Sequence, residues 1–157
     1  MNIRDFDPTR DKAAALAFIM GSQIYEHRFE PDRRLDAAVA DEFLPEILKR
    51  VAANRGRIFL AEEDGVAIGW AVFTVRENEP YVVEAERLHG YIAELFVTEF
   101  SRSKGVGRAL ISACESEARR QGLNQIMIGV LTKSTRTAEI YAKAGYGPYS
   151  LELKKNL

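Results

Sequence analysis

Two glycines spaced two apart, Gly105 and Gly107, stand among three cations, Arg102, Lys104 and Arg108, between an apolar run of strand type and a stretch with helical spacing. Such a junction can hold a phosphate. The first backbone N–H groups of a helix have no intrahelical partner, and the macrodipole places partial positive charge at the same end, so anions bind there. Glycine lets the backbone approach a ligand closely and take φ > 0 where the turn needs it. From the glycines alone, a plain strand-to-helix turn reads as well as an anion site. Residue order does exclude a P-loop, which needs Gly-Lys-Ser/Thr, because Lys104 precedes its glycine. The hairpin strands upstream are also unlike the first βαβ unit of a dinucleotide fold.

The composition of the chain narrows the ligand and its setting. Its 157 residues, 46% hydrophobic and 29% charged, suit one globular domain over residues 1–157. A net charge of -1 argues against a nucleic-acid partner bound by phosphate neutralisation. The single cysteine, Cys114, can close no internal disulfide, and no Cys/His spacing suggests a metal site, so a reducing cytoplasmic setting fits. His27 and His89 read as surface or loop residues. The first residues are charged and lack an apolar core of signal type, and no apolar run approaches the ~20 residues needed to span a bilayer.

The elements that must position the turn follow from hydrophobic period. A short strand from Asn2 to Phe6 precedes a helix over about Arg10 to Glu26, with Ala13, Leu16, Ala17, Met20 and Ile24 on the expected inner face. A second helical pattern uses Leu35, Val39, Phe43, Ile47, Leu48 and Val51, with Pro45 expected to kink or divide it. Arg57 to Glu63 and Val66 to Arg76 flank Asp64-Gly65, a hairpin signal, and odd spacing puts Trp70 and Phe73 on opposite faces. Glu77 to Arg87 reads as a long hairpin loop or an extension of its flanking strands. Tyr91 to Thr98 is the fourth strand and Gly107 to Gln121 the helix after the turn, with Cys114 facing inward. Gln125 to Leu131 has the look of a central strand, Thr132 to Ala144 of a helix, and Tyr149 to Lys155 of a last strand.

Two stretches, AELFVTEFSRSKGVGRAL from Ala93 to Leu110 and STRTAEIYAKAGY from Ser134 to Tyr146, together with this order of elements, resemble the GNAT superfamily of N-acetyltransferases. The resemblance runs from Asn2 to Lys155. It implies a single-domain α/β fold: a central, mostly antiparallel sheet of about six strands, flanked by about four helices and splayed at the fourth and fifth strands. Acetyl-CoA would lie in the splay. Leu95, Phe96 and Val97 would offer backbone groups to its acetyl and pantetheine part, and Ser103, Lys104, Gly105, Val106, Gly107 and Arg108 their amides to the pyrophosphate, with Arg102 adding charge. Ser134 stands where the family commonly has asparagine, and would cap its helix or bond to pantetheine with shorter reach.

The reaction so implied needs a neutral amine, donors for the oxyanion and a proton for the leaving thiolate. Tyr141 matches the family's usual acid. Glu94, the only acidic residue inside the fourth strand, would serve as base directly, through water, or only by orienting the amine. Transfer would be direct, since Cys114 is the only thiol and points inward. The acceptor is expected to be a small-molecule amine, with a protein amine open; Glu26, Glu30, Asp32, Glu77, Glu79, Glu84 and Glu86 would favour a cationic one. Many relatives dimerise, which leaves a homodimer open. The alternative from another class is a non-catalytic acyl-CoA-binding or sensor domain of the same fold.

Overall fold

Asp64 and Gly65 both take positive φ, 51° and 78°, the geometry that a two-residue hairpin turn demands. They join β2 (Arg57–Glu63) to β3 (Val66–Glu77), the central pair of a five-stranded sheet in a computed structural model that describes residues 1–157. β1 (Asn2–Asp5) lies outside β2, and β4 (Leu88–Val97) lies on the other side of β3, all antiparallel. β5 (Ile126–Ile128) closes the order β1-β2-β3-β4-β5 and is parallel to β4, which makes the sheet mixed.

Helices cover both faces. α1 (Lys12–His27) and α2 (Ala38–Ala53) pack one face through Ala15, Phe18, Ile19, Leu44 and Ile47 against Leu60, Trp70 and Val72. α4 (Val106–Arg120) packs the other through Leu110, Ile111, Cys114 and Ala118 against Phe59, Ala71, Phe73 and Ile92. Trp70 and Phe73 are both fully buried, one in each core, as their odd spacing requires. α5 (Thr135–Lys143) follows β5, and Gly145 just beyond it takes φ 96°, an αL stop.

Several expectations are corrected. The sheet has five strands, not six, because residues 149–155 form no regular structure and Tyr149, Leu151 and Leu153 stand exposed. Alternation alone does not make a strand, which needs a neighbour's backbone groups. β5 is consequently an edge strand, three residues long and half-buried, not a central one. Pro45 does not divide α2: it sits on the exposed side, where water can satisfy the carbonyl that loses its donor. The inner face of α1 is centred on Ala15, Phe18 and Ile19, while Ala13, Ala17 and Ile24 face solvent. Between β3 and β4 the loop ends in one helical turn, α3 (Glu84–Arg87). His89 is buried in β4, where loss of hydration holds its pKa below the usual range.

Candidate active site

The site begins where β4 loses a neighbour. β5 pairs with Gly90, Tyr91 and Ile92 only, whereas β4 runs on to Val97, so the strands part beyond residue 92. The Thr98 N–H donates to the Ile68 carbonyl at 2.9 Å, which fixes the alternation: even positions near this end turn their backbone to β3, and odd ones turn away. Leu95 and Val97 therefore present N–H and C=O groups along the open edge. Phe96 bonds toward β3, and its contribution is its ring, packed 5.6 Å from Phe18. Arg102 bends back so that its Nε donates to the Val97 carbonyl at 3.1 Å.

A bulge aims the next side chain. Val72 faces Glu94 but Phe73 faces Ile92, so Ala93 is one residue too many for the ladder. Glu94 shares a face with Val72, the face covered by α1 and α2. Its carboxyl makes no hydrogen bond or ion pair with the protein. Burial pushes its pKa up to about 7, with the nearby Glu26 carboxylate adding to the rise and Arg50 and Arg33 opposing it.

Tyr141 arrives from the opposite side. It lies on α5 and packs against the α4-side core, with its ring 6.3 Å from Tyr146. Burial first, then the charge of Glu26 and the proximity of Tyr25, Tyr91 and Glu94, hold the phenol protonated above its ordinary range. Its hydroxyl has no protein partner. Glu94 and Tyr141, one from each face of the sheet, are near enough for the carboxylate to act on the phenol, and a carboxyl that titrates near neutrality beside a phenol that stays protonated could divide proton removal and proton donation between them.

Beyond the gap, Thr98 leads through a turn of 3-10 helix, Glu99–Ser101, to the glycines. Ser103 takes φ 62° and Gly105 φ 84°, so the chain curls twice through the αL region before α4 begins. No backbone or side-chain acceptor is bonded to the amides of Ser103, Lys104, Gly105, Val106, Gly107 or Arg108. The result is a concave row of donors at the positive end of a helix. Gly105 is needed for its φ, but a Cβ at Gly107 would meet only Val97 Cγ2, at 3.8 Å. The fold itself sets no steric demand there, which leaves the backbone open to close approach by a ligand. Free amides, open edge and uncrowded Gly107 fit a pyrophosphate with an extended arm running along β4.

Ser134 is 4% exposed and stands at the N-cap of α5, yet its side chain caps nothing. Its hydroxyl donates to Thr137 Oγ1 at 2.8 Å and lies 3.3 Å from the Tyr25 hydroxyl, which is also 3.1 Å from Thr137. Tyr25 carried no motif and was invisible in the sequence. Of the acidic residues proposed to draw a cation, Glu26 is the one whose charge acts on both Glu94 and Tyr141, although Arg33 holds it at 2.6 Å. Glu30 and Asp32 are paired with Lys154, and Glu84 with Arg87. Cys114 is buried with its thiol pushed up to about 12, and so is no nucleophile. A cleft of about 600 Å³ lined by Arg55, Arg57, Glu117 and Arg120 lies at the far end of α4. Arg57 and Arg120 are taken there by Asp5 and Glu117, which leaves Arg55 as the one lining arginine without an ion pair.

Comparison with known proteins matches residues 20–146 to the model of the Acetyltransferase (GNAT) family. Mycothiol acetyltransferase of Thermobispora bispora is 26% identical over 156 residues, which is 98% of this chain and 48% of that protein. The chain thus spans about half the length of that curated relative. Among solved structures, a mutant protein from Bacillus halodurans superposes with a TM-score of 0.82 at 16% identity, covering 100% of this chain and 99% of the other. AAC(6')-Iy, in complex with the bisubstrate analog CoA-S-monomethyl-acetylneamine, superposes with a TM-score of 0.69 at 22% identity, covering 99% and 98%. At these identities the likeness is one of fold.

Proposed function

The chain belongs to the acetyltransferase (GNAT) family, and from that premise we propose that it transfers an acetyl group from acetyl-CoA directly to a primary amine, most suitably a small cationic one. The observation that carries this reading is the pairing of an open β4 edge with the unbonded amides Ser103 to Arg108 at the start of α4. Acetyl-CoA would supply the activated acetyl thioester. Leu95 and Val97 would bond its arm, Gly107 would let its pyrophosphate close on the amides, and Arg102, Lys104 and Arg108 would add positive charge. For Arg102 this means leaving the Val97 carbonyl.

The protein's own groups divide the remaining work. Glu94, with a pKa of about 7, is ionised in a large fraction of molecules at neutral pH and can accept the proton of an arriving ammonium, directly or through water. Tyr141 keeps its proton until it is needed at the leaving sulfur. Glu26 adds a second negative charge beside Glu94, which favours a cation in the space between α1 and β4. The relatives give the acceptor class independent support, since one is a mycothiol acetyltransferase and another was solved with an acetylneamine analog.

The test is thiol release from acetyl-CoA with spermidine, glucosamine, kanamycin, lysine and a peptide N-terminus as acceptors. Turnover of at least one amine is expected, with spermidine or kanamycin the fastest. Measurable acetyl-CoA binding without turnover of any amine would favour the non-catalytic binding domain instead.

A further inference from the structure

On the reading that Tyr141 gives the proton to the leaving sulfur, we propose that Tyr25 is its positioning residue: by holding Ser134 and Thr137, the last turn of α1 sets where α5, and hence the Tyr141 phenol, stands at the open edge of β4. The need for such a hold is visible in α5 itself. It has nine residues, none fully buried, and a helix that short is not stable on its own. Its inward contacts, Tyr141 and the following Ala144 and Tyr146, are all toward its C-terminal end. The other end is tied by the hydroxyl cluster, which reaches it from α1, and by the exposed Lys133 ammonium just before it, which is held by the Phe29 carbonyl and Glu30 in the loop after α1.

The cluster is a closed triangle. Tyr25 OH is 3.1 Å from Thr137 Oγ1 and 3.3 Å from Ser134 Oγ, and Ser134 donates to Thr137 at 2.8 Å. Ser134 uses its hydroxyl here in place of capping the helix, so the geometry favours the tertiary link over the local one. Thr137 and Tyr141 are four residues apart, one turn along the same face of α5. A displacement of Thr137 is therefore carried to the phenol.

Tyr25 is also anchored toward the cofactor edge. The Arg102 guanidinium lies 5.5 Å from its ring centre and 5.8 Å from that of Phe96, while its Nε holds the Val97 carbonyl. One side chain thus touches the helix of the acid and the arginine that guards the open edge. Removing its hydroxyl deletes two contacts to α5 and leaves the ring in place, which makes Tyr25→Phe the informative change.

With the fastest amine of the panel, Tyr25→Phe is expected to lower kcat about tenfold with KM for acetyl-CoA within about twofold, because the loss falls on the transition state. Thr137→Val should do the same, and Thr137→Ser, which keeps the hydroxyl, should restore the rate. In a Tyr141→Phe background, Tyr25→Phe should change kcat by less than about twofold, since the group it positions is gone. Amide exchange in residues 135–143, read without any acceptor, should quicken in Tyr25→Phe. An unchanged kcat in Tyr25→Phe, or an equal loss in both backgrounds, overturns the positioning role while leaving Tyr141 as the acid. If Tyr141→Phe itself is fully active, or no amine is turned over, the underlying reading falls and the positioning role with it. Unaltered exchange in α5 would overturn the link whatever the kinetics.

Discussion

Glu94 stands directly opposite Val72 across the β3–β4 ladder, one residue out of regular register with the Phe73–Ile92 pair beside it. This slip turns an acidic side chain toward the gap beneath α1 and α2, where burial and Glu26 keep its pKa near 7. The bulge sets which face this stretch of the strand, apolar on either side at Ala93 and Leu95, turns its one carboxyl toward.

The rate should follow that group. Glu94 must be ionised to accept a proton, so kcat/KM is expected to rise with pH through about 7, and Glu94→Gln should flatten the rise and lower the rate about a hundredfold. Tyr141, held protonated above its ordinary range, should cause no fall on the alkaline side below about pH 10. A pH profile of both proteins checks this.

Stability should show the opposite sign at the same residue. A carboxyl whose folded pKa is raised from 4.5 to about 7 favours the fold below the lower value, and that contribution is lost as pH rises through the higher. Glu94→Gln should match the parent Tm at pH 4.5 and exceed it at pH 8, in thermal melts that need no substrate.

Glu117 is the contrasting case. It is 3% exposed, bonded by Arg120, Gln121 and Arg57, and its pKa is lowered to about 2. Its stabilisation is present above its usual 4.5 and lost as pH falls toward 2. Since both arginines are largely solvated, Glu117→Ala should cost about 2 kcal/mol at pH 7, less as pH falls, with no change in acetyl-CoA affinity.

The two turn glycines should separate fold from ligand. Gly105→Ala forces a side chain into φ 84° and should cost about 1 kcal/mol of stability, read by denaturant unfolding. Gly107→Ala meets no strain and only a 3.8 Å contact, so stability should hold while acetyl-CoA affinity, read by calorimetry, falls.

Gly21 is required for a different reason. A Cβ there would collide with the Phe96 ring, which packs under α1 beside the open edge. Gly21→Ala should destabilise by about 1–3 kcal/mol, and Phe96→Leu in the same chain should recover part of the loss.

Much of this was legible in the sequence because local rules and tertiary demands agree. The Asp64-Gly65 turn, the opposite faces of Trp70 and Phe73, the αL stop at Gly145 and the splay at β4 all follow from turn chemistry, strand period or the resemblance. What failed depended on neighbours. The alternation of Tyr149, Leu151 and Leu153 found no partner edge, and Pro45 was tolerated because it faces water. Tyr25 had no signal, since its role comes from residues more than a hundred positions away. The bulge that aims Glu94 could not be read either, because register belongs to a pair of strands and not to one.

The central claim is that the gap beside β4 passes an acetyl group with Tyr141 as proton donor. The most direct test is single-turnover thiol release by Tyr141→Phe at saturating acetyl-CoA, alongside its acetyl-CoA dissociation constant. A rate about a hundredfold below that of the parent, with the constant within about twofold, is predicted. A rate equal to that of the parent, or a loss explained by weakened acetyl-CoA binding, would contradict it.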